Sequence, residues 1–347
     1  MNAFDSIEEV DVQYRSFGQT GLDVSAICFG CWELGGAYGH FEDTEVIQAI
    51  HKALDLGINC CDTAQAYGMG RSEQLLAKGL SDRRKDIILV TKWAIGYNDT
   101  LSDRGRDSRA ARSKLSIETS LKHLGTDYVD IFLIHWPDRR IPFDEPMRAM
   151  EDIVQEGKAR FVGVSNFQSS EIEECMAARR VDVGQYGYHM FDRRMEVDVL
   201  PTHKQHGIGF MGYGSLAHGL LTGAFTEDTK FQESDWRSRG GLFNMPLFTD
   251  ENFPRNLRVV HDLKGIAEDM GTKRANLALA WVLANPILSV ALVGARTPAE
   301  VEDNMAALDV SFDDEALRAV DAVFERHGVD TRPDVWVEST DVPYGRA

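Results

Sequence analysis

The sequence predicts an α/β fold of the (β/α)8, TIM-barrel kind, and three observations carry that prediction. Eight short runs rich in Val, Ile and aromatic residues recur along the 347 residues, each followed by a polar stretch of helical period. Polar residues with catalytic potential stand at the carboxyl ends of these runs, the end where such barrels build their sites. No low-complexity linker divides the chain, so residues 1–347 are expected to form one barrel domain.

The strands are expected at 25–31, 58–62, 86–91, 128–135, 160–164, 183–188, 207–213 and 288–293. Helical patterns lie between them, near 43–56, 72–80, 108–124, 145–156, 169–179, 196–205 and 255–285. Ahead of the first strand, YRSFGQTGLDVS places a Gln-Thr-Gly turn between two short extended pieces. This predicts an amino-terminal β-hairpin over 14–24 that closes the lower end of the barrel. A long loop separates the seventh and eighth strands, irregular over 225–253 and followed by two helical runs. Loops of that length in compact domains are usually functional or disordered. The carboxyl-terminal tail, 327–347, is also irregular but carries Trp336 and Tyr344 as anchors, so it is expected to fold over the rim that holds the chemistry, the alternative being packing on an outer helix or at a subunit contact.

Composition narrows the function. A formal charge of −18 argues against nucleic acid and anionic membrane surfaces as partners. The sequence holds no run of 18 apolar residues with which to span a bilayer. The opening MNAFDSIEEVDV lacks a basic-then-apolar signal pattern, and a cytoplasmic location is expected. The five cysteines, at 28, 31, 60, 61 and 175, include a C-x-x-C and a C-C pair. Alternate side chains of a strand point to opposite faces, so the members of each pair diverge and no metal site is expected.

Four polar residues form the candidate catalytic centre. Asp62 ends INCCD, Lys92 ends IILVTK, His135 ends YVDIFLIH, and Tyr67 follows Asp62 in the loop DTAQAYG. An acid, a phenol, an amine and an imidazole at one rim make a proton-transfer centre. In carbonyl reduction carbon takes a hydride while oxygen takes a proton, so the site needs a positioned acid. An unperturbed phenol, with a pKa of about 10, matches neutral pH poorly. A nearby Lys92 ammonium is expected to lower that value, with Asp62 holding the lysine and His135 bonding the substrate oxygen.

The order and wording of these segments resemble the aldo-keto reductase family. The matching pieces are YRSFGQTGLDVSAICFGCW, DTAQAYGMGRSE, VTKW, IHWPD, GKARFVGVSNF, GYGSLAHGLLTG and VGARTPAEVEDN, in order from about residue 14 to 304. The resemblance implies a TIM-type barrel that uses NAD(P)(H) without a Rossmann fold, and the tetrad Asp62, Tyr67, Lys92 and His135. It further implies that Ser165, Asn166 and Gln185 hold the nicotinamide carboxamide and that Tyr213 stacks on the ring. The run from Gly214 to Gly223, with Ser215, Leu216, Gly219 and Leu221, would wrap the pyrophosphate, as close backbone approach at glycine allows.

The last motif bears on the nucleotide. Arg296 and Thr297, after Gly294 and before a helix beginning near Pro298, could hold a 2′-phosphate. Asn304 resembles the family's adenine contact. Glu300 is a departure, since relatives commonly carry Gln or Arg there, and a carboxylate suits an unphosphorylated ribose. NADP(H) is the expected cofactor, with NAD(H) as the alternative. Trp32, Tyr38, Trp93 and Trp136 are candidates for an aromatic substrate wall. His189, where many relatives carry Asn, is either a rim residue reading the substrate or a surface histidine.

Three functions compete on this sequence. The favoured one is an oxidoreductase interconverting an aldehyde or ketone, a sugar among the options, and its alcohol. The second is a cofactor-binding regulatory subunit with little turnover, of the sort this fold also supplies to potassium channels; an intact tetrad disfavours it. A metal-dependent hydrolase would want an H-x-H strand motif or a carboxylate cluster, which the sequence lacks.

Overall fold

The protein is described by a computed structural model, which covers residues 12–36, 41–96, 105–233 and 235–338. Its chain begins with an antiparallel hairpin of β1 (Tyr14–Ser16) and β2 (Asp23–Ser25). Eight parallel strands then close into a barrel: β3 (Ile27–Gly30), β4 (Cys60–Asp62), β5 (Ile88–Trp93), β8 (Val129–Ile134), β9 (Ala159–Ser165), β10 (Val183–Gly187), β11 (Gly209–Tyr213) and β12 (Leu288–Gly294). Two-residue strands β6 (Ile95–Gly96) and β7 (Gly105–Arg106) pair beside the rim. Every expected barrel strand is present at its expected place.

The helices fill the outer layer. They are α1 (Asp43–Asp55), α2 (Arg71–Leu80), α3 (Ala110–Leu124), α4 (Asp144–Gln155), α5 (Ser169–Ala178) and α6 (Val199–His206), then α7 (Asn252–Asp269), α8 (Arg274–Ala284), α9 (Pro298–Met305) and α10 (Asp314–Arg326). The two helical runs expected after the irregular stretch, over 255–285, are α7 and α8, split at Gly271 (φ 66°). A left-handed residue there is cheap only for glycine.

Strand alternation sorts the core into two layers. Cys28, Cys60, Ile88, Val90, Ile131, Leu133, Val183, Met211, Val290 and Leu292 fill the barrel interior, joined from below by Phe17 and Val24 of the hairpin. Gly18 approaches the backbone of Gly207 and Gly209 at the amino end of β11, which fixes the hairpin at the lower end. Residues of the opposite parity, among them Phe29, Cys61, Leu89 and Phe132, face the helices. Each fully buried aliphatic side chain contributes about 1.5–3 kcal/mol, so the two layers together hold the strand ends rigidly. Cys28 and Cys60 point inward while Cys31 and Cys61 point outward, the divergence that alternation dictates. All five cysteines are free and buried, and no metal-holding cluster of His, Cys, Asp or Glu occurs among the described residues. Among the same residues no helix is long and apolar enough to cross a membrane.

Candidate active site

The tetrad assembles where strand parity and one loop meet. Val90 and Lys92 share the inward face of β5, so Lys92 lies fully buried at the top of the barrel filling. Its ammonium donates to Asp62 Oδ2 at 2.7 Å, to the Thr63 carbonyl at 2.9 Å and to the Tyr67 hydroxyl at 3.1 Å. Those are three acceptors for the three protons of a lysine. The His135 ring stands edge-on to Tyr67 with centroids 5.6 Å apart. The loop carrying Tyr67 is held from outside the barrel. Ser72 on α2 bonds the Cys31 carbonyl, and the buried Glu73 bridges Thr91 on β5 and His123 on α3. Gly35 packs against the Tyr67–Gly68 peptide so closely that a Cβ would stand 2.8 Å from its atoms.

Burial governs the protonation of this cluster. It pushes the Asp62 carboxyl up, against the attraction of Lys92 and the hydrogen bonds from Lys92 and Gln185. It also pushes the Tyr67 phenol well above its ordinary value, with Asp62 and Cys31 adding to the effect. The expectation that Lys92 lowers this phenol is therefore corrected. Asp62 sits closer to the ammonium than the phenol does, so its charge cancels much of the lysine's pull and desolvation prevails. Tyr67 is a neutral phenol at neutral pH.

A second network adjoins the first. Gln185 donates from Nε2 to Asp62 Oδ1 at 2.8 Å, which ties the expected nicotinamide clamp to the tetrad. Ser165 Oγ donates to the Gln185 carbonyl, and Asn166 Nδ2 donates to Ser165 Oγ and to the His135 carbonyl. The Tyr213 hydroxyl donates to Asn166 Oδ1 at 2.9 Å, leaving its ring toward the cavity. Asn166 holds φ 65°, a left-handed conformation that Asn tolerates better than most residues.

Both networks open onto one cavity of about 860 Å³. Its walls include Asp62, Tyr67, His135, Ser165, Asn166, Gln185, Tyr213, Gly214, Ser215, Leu216, Gly219, Gly294, Arg296, Glu300 and Asn304, and also Trp32 and Trp136. The donor set fits a nicotinamide dinucleotide. Amide and hydroxyl groups line one end, and the turn at Gly214 (φ 70°) and Gly219 (φ 94°) presents backbone along the middle. Charged residues gather at the far end. There Arg296 is countered by its neighbour: Glu300 accepts from the Arg296 amide at 2.6 Å, and its other oxygen lies 3.9 Å from the guanidinium. Lys273 pairs with Asp303 beside them.

Several expected site residues lie elsewhere. Trp93 is the outward neighbour of Lys92, buried and stacked on Phe132 at 6.0 Å, so it is a core residue and not a pocket wall. Leu221 is buried in the outer core, and Gly223 is covered by Arg274, whose guanidinium donates to its carbonyl. Neither lines the cavity, although Thr222 between them does. Thr297 caps α9 by accepting from the Glu300 amide at 3.2 Å and does not line the cavity. His189 is neither at the rim nor on the surface; it is 2% exposed, edge-on beneath His218 at 5.8 Å. Tyr38 and Tyr344 fall outside the described residues.

The roof of the cavity comes from residues that the sequence reading did not single out. Phe243 sits 5.4 Å from Trp136, 5.7 Å from Tyr213 and 6.3 Å from Trp32. Trp236, stacked on Trp32 at 6.2 Å, and His218 complete the aromatic enclosure. Phe243 and Asn244 both have positive φ, 56° and 58°. Arg194 holds that turn by donating to the carbonyls of Phe243 and Val335, and Asn244 donates to the Trp336 carbonyl. Glu338 in turn pairs with Arg106 and Arg139. The described part of the tail thus braces the roof from behind without itself lining the cavity.

Comparison with known proteins agrees with this geometry. A family model described as "Aldo/keto reductase family" matches residues 26–325. The chain is 36% identical to aldo-keto reductase YhdN of Bacillus subtilis, over 84% of this chain and 87% of that one. It is 34% identical to a probable voltage-gated potassium channel subunit beta of Arabidopsis thaliana, over 86% and 92% of the two chains. Among solved structures, the glycerol dehydrogenase of Gluconobacter oxydans superimposes with a TM-score of 0.81 at 31% identity, covering 96% of this chain and all of that one. An eight-stranded parallel barrel, a polar cluster centred on Lys92 at its carboxyl rim and a family match over most of the sequence converge, and the chain belongs to the aldo/keto reductase family.

Proposed function

We propose that this protein interconverts an aldehyde or ketone and its alcohol, with Tyr67 as general acid in reduction and general base in oxidation. The observation that carries the reading is the Lys92 ammonium, in hydrogen-bond reach of both Asp62 and the Tyr67 hydroxyl at the floor of a large cavity. A bound nicotinamide dinucleotide supplies or accepts the hydride. Tyr67 gives its phenolic proton to the substrate oxygen, and Lys92 stabilises the phenolate left behind. That stabilisation matters most once charge develops on the phenol, as transition-state complementarity requires. Asp62 holds Lys92 in place, and His135 borders the substrate oxygen. Ser165, Asn166 and Gln185 would hold the carboxamide, Tyr213 the ring face, and Gly214–Leu216 with Gly219 the pyrophosphate.

NADP(H) is the proposed cofactor, through Arg296 at the nucleotide end. NAD(H) is the second reading, favoured by Glu300, which engages Arg296 from within the same turn. The likeness to a glycerol dehydrogenase and the aromatic walls support a small hydroxylated substrate. Likeness to potassium channel β-subunits keeps the regulatory reading as the alternative. A direct test follows nicotinamide absorbance with each cofactor against a panel of aldehydes, ketones and sugars. Turnover of at least one class above the rate of a Tyr67→Phe control supports the enzyme reading. Tight nucleotide binding without turnover of any of them supports the regulatory one.

A further inference from the structure

We propose that His218 reads a hydroxyl group of the substrate remote from the reacting carbon, which makes polyhydroxylated aldehydes or ketones the preferred substrate class. The inference rests on the reductase reading above.

Three observations converge on this residue. Its ring lines the same cavity as Tyr67, and no hydrogen bond to either ring nitrogen forms among the described residues. Its backbone holds φ 57°, ψ 35°, next to Ala217 at φ 48°. Non-glycine residues in the left-handed region cost about 1–2 kcal/mol each, and such strain persists where the surrounding structure imposes it, often at functional sites. Arg237 imposes it here by donating to the His218 carbonyl at 3.2 Å. Third, the ring is set among hydrophobic faces: edge-on to Trp32 at 6.0 Å and to Trp236 at 5.0 Å, with Phe243 at 6.3 Å.

The chemistry of the ligand follows. Burial, with His189 beneath, pushes the imidazole down to about 3, so it is neutral at physiological pH. A neutral imidazole offers one donor and one acceptor, the same pair that a hydroxyl presents, and it offers no charge to attract a carboxylate or phosphate. Trp32 neighbours both residues, 6.5 Å from Tyr67 and 6.0 Å from His218, and lines the cavity with an apolar ring against which the C–H face of a carbon chain can lie. A carbonyl placed at Tyr67 therefore brings a hydroxyl several carbons away toward His218. A substrate lacking that hydroxyl covers the imidazole without pairing it, which is how hydroxyl-reading sites discriminate.

The test compares glyceraldehyde, erythrose and xylose with propanal, butanal and pentanal, using wild type, His218→Phe and His218→Gly. The glycine variant removes the ring and relieves the backbone, so the test survives if the phenylalanine variant folds poorly. His218→Asn keeps a donor and an acceptor and tolerates the backbone conformation. The selectivity for hydroxylated over plain aldehyde, as the ratio of kcat/KM values at equal chain length, should fall about tenfold in the Phe and Gly variants for the longest pair. The fall should be smaller for the shortest pair, and His218→Asn should recover part of it. A selectivity ratio unmoved at every chain length overturns the inference while leaving the reductase reading standing. So does a rise in the nucleotide Kd, read by fluorescence, that accounts for the whole change, because His218 would then belong to the cofactor. Wild-type protein that turns over neither series overturns both readings together.

Discussion

The floor and the roof of the cavity are built on opposite principles. The floor is delivered by strand ends: Asp62, Lys92 and His135 stand where apolar strands stop, and their directions follow from strand parity and the layers on either side. The roof is irregular chain, Phe243 and Asn244 in left-handed turns, fixed by Arg194 and the tail across separations of 49, 92 and 141 residues. A floor made this way is rigid and suits proton transfer, which needs hydrogen-bond geometry. A roof held by a few polar latches can change in sequence and shape without disturbing it, which suits substrate choice. Damage to the two regions should therefore have different kinetic signatures.

The largest effect belongs to the floor. Lys92→Met should lower kcat by 100-fold or more, since the phenolate formed on proton donation loses its stabilising charge. It also leaves Asp62 buried without its partner, a loss of about 3–5 kcal/mol in stability for a broken buried pair. The double variant Asp62→Asn/Lys92→Met should regain thermal stability but not turnover. Recovery of both would make the pair structural, and Tm and kcat measured on the same samples separate the two outcomes.

A roof lesion should leave the chemistry standing. Truncation after Arg326 removes the carbonyls that receive Arg194 and Asn244, and Glu338 with its arginine contacts. KM and substrate preference should change strongly while nucleotide affinity changes little. Unaltered kcat/KM across several substrates would remove the tail from any role in the pocket, and insolubility would point to simple packing.

The nucleotide end, which neither region controls, should respond more modestly. Arg296→Ala should weaken NADPH binding roughly tenfold and leave NADH almost unaffected, as loss of one charge-assisted hydrogen bond implies. Glu300→Gln should improve NADPH binding by freeing Arg296. Tighter NADH binding by wild type, weakened by Glu300→Gln, would assign the site to NAD(H).

The last effect concerns stability beneath both regions. Burial holds His189 near 3 and His203 near 4, against an ordinary 6.5. As pH falls below about 6.5 the unfolded chain takes up protons that the folded one refuses. The stability these neutral rings permit is thus complete above that pH and is lost on acidification toward pH 4 and 3. The loss approaches about 1.4 kcal/mol per group per pH unit. Urea midpoints between pH 7 and 5 should fall accordingly, and less steeply in His203→Gln. Equal slopes would show that His203 is not buried in neutral form.

The contrast between floor and roof also explains what was legible in the sequence. The eight strands and the tetrad could be read because apolar runs, period-two alternation and strand-end polar residues are local signals. Trp93 was misplaced against such a signal, since parity with an inward Lys92 already turns it outward. Thr297 likewise had a helix-capping pattern, Thr-Pro-Ala-Glu, that favours a cap. Phe243 and Trp236 had no comparable mark, and His218 lay inside the Gly214–Gly223 run without a sign of its own role. They sit in irregular chain without period, and their places depend on Arg194, Arg237 and the tail, partners far away in sequence. The direction of the Tyr67 shift was hidden for a similar reason, because it turns on burial and on which of two acceptors lies nearer Lys92.

The most direct test of the tyrosine's role is single-turnover reduction by wild type and Tyr67→Phe, with nucleotide affinity measured on both. Phenylalanine keeps the ring against His135 and Trp32 but has no proton to give. Nucleotide affinity should be nearly unchanged while the reduction step slows by roughly 10²–10⁴-fold. Reduction within a few-fold of wild type, at equal nucleotide occupancy, would show that another group supplies the proton and that the buried tetrad is not the catalytic centre.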